Sequence, residues 1–188
     1  LATAALTFSV SSATNALPHL QLDAQGGVYD GLKTDGFTET TFCSTTSCDF
    51  YAIATPKAQI SADDIKADTY YVSIAVVPRQ TETTPQPDYG SFTLTIDGVT
   101  STISVTGDMV FGTPPLETVM GLQGSDPGDL ATHGIFETYF SEIAIKFVDG
   151  QTMTPYDVQL DPGTPENKIV GTGAFYEKLT IDTTNLID

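Results

Sequence analysis

The chain contains no tryptophan and only two cysteines, and its 7 basic residues face 24 acidic ones. Each shortage excludes something. At a formal net charge of −17 the surface repels phosphate backbones, so nucleic acid is not expected as a partner. The same field disfavours anionic membrane surfaces. No run approaches the roughly 18 apolar residues of a spanning helix, so no membrane insertion is expected. Without tryptophan, any stacking on sugars would fall to tyrosines. Catalytic signatures are also missing: there is no H-E-x-x-H for a zinc protease and no G-x-S-x-G for a nucleophile elbow. No segment repeats at a fixed period, which argues against a solenoid or propeller.

What remains reads as β. The apolar fraction of 40% is that of a globular chain, and 188 residues are enough to bury a core as one domain. Threonine, tyrosine and phenylalanine are frequent, and glycine and proline punctuate the sequence. Residues 92, 94 and 96 are apolar and alternate with Thr93 and Thr95, Asp97-Gly98 follows, and 99–105 alternates again. Asp-Gly between alternating runs predicts a type I′ hairpin over 91–106. Ile143, Ile145 and Phe147 alternate with Ala144 and Lys146, and Phe175, Leu179 and Ile181 share one face of a strand over 174–182. Residues 69–77, apolar on both faces, predict a strand central in its sheet. A strand begins at Leu20 and ends at Gly26-Gly27, with 28–30 as its extension past a bulge. Ser61 is placed to cap a short helix over 61–66 whose first turn carries Asp63 and Asp64.

These elements predict an all-β fold, an antiparallel β-sandwich of jelly-roll or immunoglobulin-like type. Long loops are expected over 80–88, 111–134 and 157–168, with at most one or two short helical turns. Residues 17–188 form the single domain, and residues 1–16 stand apart as an N-terminal strand or the remnant of a signal peptide. The strand reading rests on Leu6, Phe8 and Val10 alternating with Thr7, Ser9 and Ser11, whereas a signal core is continuously apolar.

Cys43 and Cys48 are separated by four residues, with no second pair to complete a zinc site. A disulfide clamping the tip of a hairpin, between strands over 37–42 and 49–55, accounts for them best; two free thiols are the alternative. A disulfide would imply an oxidising compartment.

Three clusters could carry further chemistry. Asp126 and Asp129, set around Pro127-Gly128, could supply part of a calcium shell, helped by Asp30 and Asp35 or by Asp157 and Asp161. Ordinary turn use of aspartate is the competing account. His133 beside this loop could be a base or ligand, or a loop histidine bonded to a carbonyl. Glu137 and Glu142 could be a glycosidase pair, but an odd spacing of five on one strand sends them to opposite faces.

Several spaced blocks carry a resemblance: residues 20–23 (LQLD) with 27–30 (GVYD), 68–78 (DTYYVSIAVVP), 107–118 (GDMVFGTPPLET), 126–130 (DPGDL), 133–136 (HGIF) and 172–176 (TGAFY). Together they resemble the choice-of-anchor N proteins, exported bacterial proteins ending in a sorting anchor such as PEP-CTERM. The resemblance covers roughly residues 17–186. It implies export, surface display and no assigned catalytic residues. It also implies a further strand and an anchor beyond the equivalent of Leu186, and hence a groove or open edge here that a neighbour's N-terminal strand could fill.

The function expected from the sequence is that of a secreted structural protein of a cell surface or extracellular matrix. Its partners would be other copies of itself, joined as a filament by donor-strand exchange of Leu6, Phe8 and Val10. No cofactor is required in that role. The competing class is a calcium-dependent binding or adhesion module, with polysaccharide as its ligand, and a hydrolase ranks third; the chain is not expected to be an enzyme.

Overall fold

The computed structural model describes residues 18–29, 31, 41–76, 88–105, 110–111 and 139–187. The fold over these residues is all-β and antiparallel, with one short helix, as the alternation predicts.

The largest sheet contains β1 (His19–Ala24), β4 (Ser47–Thr55), β11 (Ala174–Asp182), β6 (Ser91–Ile96) and β7 (Val99–Ser104), in that order, with β10 (Thr152–Met153) paired to β11. A second sheet has the order β5 (Tyr70–Val76), β9 (Tyr139–Ile145), β8 (Val110–Phe111). A two-stranded ribbon joins β2 (Val28–Tyr29) to β3 (Thr41–Phe42).

Period-two alternation gives the large sheet two differently clothed faces. On the inner face, Ala52 and Ala54 of β4, Phe175 and Leu179 of β11, and Phe92 and Leu94 of β6 are buried. They join Ile143 and Ile145 of β9 and Phe147 in one apolar cluster, with Tyr70, Val72 and Ile74 of β5 packed against it. Burial of each phenylalanine, leucine or isoleucine among them stabilises the fold by about 1.5–3 kcal/mol. Ile65 of α1 (Ala62–Ala67) adds its side chain to this cluster. Ser61 caps α1: its hydroxyl accepts from the Asp64 amide, and the Asp64 carboxylate accepts in return from the Ser61 amide at 2.8 Å.

The 91–104 hairpin forms as expected. Asp97 (φ 51°) and Gly98 (φ 75°) hold the two left-handed positions of the turn. β11 also matches its predicted span and is the internal strand between β4 and β6.

Three expectations about pairing are corrected. β3 does not form a hairpin with β4; it pairs with β2, while β4 lies between β1 and β11. β4 spends its backbone groups on β1 along one edge and on β11 along the other, which leaves none over 50–54 to pair with β3. Val28 does not extend β1 past a bulge. A turn at Gln25-Gly26, with Gly26 at φ 70° and the Gly27 amide bonded to the Ala24 carbonyl, carries the chain into the separate ribbon. Among the described residues β5 lies at the edge of its sheet and pairs only with β9.

Candidate functional site

The outer face of the large sheet carries the polar groups. Alternation sends Tyr51 and Ile53 of β4, Gln21 and Asp23 of β1, and Tyr176, Lys178 and Thr180 of β11 to this side. Over β1 and β4 it is covered by β10 and the segment after it. Met153, Tyr156 and Val158 pack there with Tyr51, Ile53 and Ala174.

Side chains of β1 stitch that segment down. The Gln21 amide donates to the Tyr156 carbonyl (2.7 Å) and accepts from the Val158 amide (2.9 Å), so it grips the backbone as a strand neighbour would. Asp23, only 1% exposed, accepts from the Ala24 amide (2.9 Å), the Gly163 amide (2.8 Å) and the Tyr156 hydroxyl. Three donors satisfy this buried carboxyl. Burial, then the hydrogen bond to Asp23, pushes the Tyr156 phenol above its ordinary range. Gly163 has φ 71°, and a Cβ there would run into the Gly27 backbone, so the close approach of 163 to the ribbon requires glycine.

Further along the sheet lies a charged brace. Lys178 Nζ sits 2.7 Å from Asp49 and 3.4 Å from Glu166, and 5.6 Å from the centroid of the Tyr51 ring. The Tyr51 hydroxyl donates to Glu166 (2.8 Å), and the Thr180 hydroxyl donates to Asp49 (2.6 Å). The hydrogen bond to Asp49 holds the Lys178 ammonium above its usual range. Burial by itself would raise Asp49, yet the bonds from Lys178 and Thr180 hold its carboxyl below the ordinary value. Burial and Glu166 raise Tyr51. Lys178 is thus fixed as a cation and Tyr51 as a neutral phenol, so neither is prepared as a nucleophile or base near neutral pH. The arrangement braces the 165–168 turn against the sheet.

Beyond the brace a row of short polar side chains crosses four strands, from Asp49 (β4) through Thr180 (β11) and Thr95 (β6) to Thr100 (β7). The Thr95 and Thr100 hydroxyls are hydrogen-bonded at 2.7 Å. Thr100 and Thr102 are exposed, and the row ends at the β7 edge.

One carboxyl faces inward. Glu177 lies on the core side of β11 and is 2% exposed. Burial, reinforced by the negative charge of Asp97, pushes its pKa up to about 7 against a weaker opposing hydrogen bond from the Lys178 amide. A pKa near neutrality is useful for acid–base chemistry only where substrate can reach it, and this group is enclosed.

Cys43 and Cys48 are joined as a disulfide with Cα atoms 6.5 Å apart. The bridge closes the link from β3 in the ribbon to β4 in the large sheet rather than a hairpin tip. Asp157 caps its own turn, accepting from the Gln159 amide (2.9 Å), and Asp161 pairs with Lys168 (2.9 Å). Among the described residues no group of three or more His, Cys, Asp or Glu is arranged around a common point. His19 is exposed at the start of β1. Leu6, Phe8 and Val10, Asp126 and Asp129, Asp30, Asp35, His133 and Glu137 lie outside the described residues.

Sequence reasoning missed both buried carboxyls and the lysine brace. Glu177 had a signal, since it stands two residues from both Phe175 and Leu179 and must share their face. Asp23 had none, because its partners are 133 and 140 residues away.

No protein-family model, curated protein or solved structure matches the chain.

Proposed function

We propose that this chain is an exported structural protein of a cell surface or extracellular matrix, and that its copies join by donation of the N-terminal strand bearing Leu6, Phe8 and Val10. The observation that carries the first half is the Cys43–Cys48 disulfide, since such bonds persist in oxidising compartments and are rare in the cytosol. The resemblance to exported anchor proteins points the same way. The strand-donation half is supported by the uncharged alternation of residues 6–11 in a chain of net charge −17.

Two experiments test these halves. Protein isolated from its native source with free thiols blocked at lysis should carry no alkylated cysteine; a fully alkylated pair would remove the case for export. Light scattering at increasing concentration should show self-assembly of the full chain that is lost when residues 1–12 are deleted. Assembly that survives the deletion overturns strand donation.

A further inference from the structure

We infer that β7 is the edge on which this assembly is built: it accepts, as an added strand, residues 4–12 of a second copy of the chain. The inference rests on the strand-donation reading and names its receiving surface.

The pairing geometry of the hairpin decides which backbone groups of β7 are free to receive a partner. Ile96 and Val99 flank a two-residue turn, so they exchange hydrogen bonds, and the bonded pairs then recur at every second residue: 94 with 101, and 92 with 103. The Val105 amide, bonded to the Gly90 carbonyl at 3.0 Å, continues the same alternation. The amides and carbonyls of Thr100, Thr102 and Ser104 therefore point away from β6. Among the described residues no strand lies beyond them.

Edge strands ordinarily carry lysine, proline or a bulge that discourages pairing. β7 has none of these, pairs in unbroken register, and five of its six side chains are exposed. No ionised side chain lies between Asp97 and Asp108. Two copies of a chain of net charge −17 repel each other over most of their surfaces, so contact is favoured where charge is absent. The N-terminal segment meets the same condition, because no Asp, Glu, Lys or Arg occurs before Asp23.

The two strands also match face for face. On β7, Val99 and Ile103, with Ser101 between them, lie on the inner side of the sheet, and Thr100, Thr102 and Ser104 on the outer. A donated strand would set Leu6, Phe8 and Val10 beside the first row. Thr7, Ser9 and Ser11 would then extend the hydroxyl row that runs from Thr180 through Thr95 to Thr100. Thr–Thr and Thr–Ser neighbours of this kind are favourable cross-strand pairs. The opposite edge, β1, is less suited: β3 lies beside it, and its outer side chains Gln21 and Asp23 are engaged with the 156–163 segment.

The test compares the full chain with two edge variants and with the 1–12 deletion. Thr102→Pro removes an outward amide while sparing the bonds to β6, and Thr102→Lys keeps the amide but places a charge on the edge. Both should reduce assembly at least tenfold at a fixed concentration, with circular dichroism unchanged. If Thr102→Pro disturbs the fold, Thr102→Lys decides. In a mixture of Ser9→Cys and Thr102→Cys chains, disulfide-linked heterodimers should form on mild oxidation. Loss of assembly on deletion, with full assembly in both edge variants, overturns β7 as the acceptor and leaves strand donation standing. Assembly unaffected by the deletion overturns both, as does a full chain that stays monomeric throughout. If no heterodimer forms in that mixture, while a chain carrying both Ser9→Cys and Thr102→Cys cross-links only within itself, exchange between copies is overturned.

Discussion

Glu177 of β11 stands directly opposite Ala52 of β4, on the face of the sheet that turns toward the apolar core. A carboxyl placed there is easier to bury protonated than ionised, and its pKa of about 7 records that preference. The folded-state value lies above the unfolded one, so the unfolded chain releases this proton first as pH rises. Stability is therefore lost between about pH 4.5 and pH 7, by about 3 kcal/mol. Glu177→Gln should leave stability at pH 4 nearly unchanged and raise the melting temperature at pH 8 by roughly 5–10 °C. Calorimetry at the two pH values checks this, and an equal effect at both would show that ionisation of Glu177 is not the cause.

Tyr156→Phe removes one of three donors to Asp23 while keeping the ring in its cluster. The cost should be about 1–3 kcal/mol, because a buried carboxylate loses a partner it cannot replace from water. Urea denaturation would measure it. Limited proteolysis should show earlier cleavage within residues 157–164, the segment that the Asp23 interactions hold to the sheet.

Gly163 and Gly150 both have positive φ, at 71° and 91°, yet only Gly163 faces backbone across its missing Cβ. Gly150→Ala should cost about 1–2 kcal/mol, the backbone strain alone. Gly163→Ala adds the collision with Gly27 and should destabilise by clearly more. Paired thermal melts compare them; equal losses would mean that the 163 loop moves aside without penalty.

Reduction of Cys43–Cys48 frees a short loop, for which the chain-entropy relation gives about 2 kcal/mol. The melting temperature should fall by roughly 4–8 °C in reductant. The Cys43→Ser, Cys48→Ser variant should melt where the reduced protein does, and should not respond to reductant.

How far the sequence could be read depended on the distance over which each feature is decided. The 91–104 hairpin was legible because its turn needs two left-handed residues, and Asp97-Gly98 supplies them within four positions of both strands. The capping box at Ser61 and Asp64 is likewise settled inside one helical turn. Pairing partners were not legible. Both β3 and β5 have the composition of good strands, but whether a strand is central or at an edge depends on which distant strands reach it first. The brace of Lys178 with Asp49 and Glu166 joins three separate parts of the chain, and no local spacing announces it.

The sequence by itself determined the class of fold, the turns, the helix cap, the apolar rows and the net charge, because each follows from local backbone preference, period-two alternation or simple counting. Only the tertiary structure decided that β4 and β11 lie inside the large sheet, that the cysteine bridge links two sheets, and that Asp23 and Glu177 are buried. Those outcomes turn on desolvation and on contacts between residues far apart in the chain, which are settled when the sheets assemble rather than along any one strand.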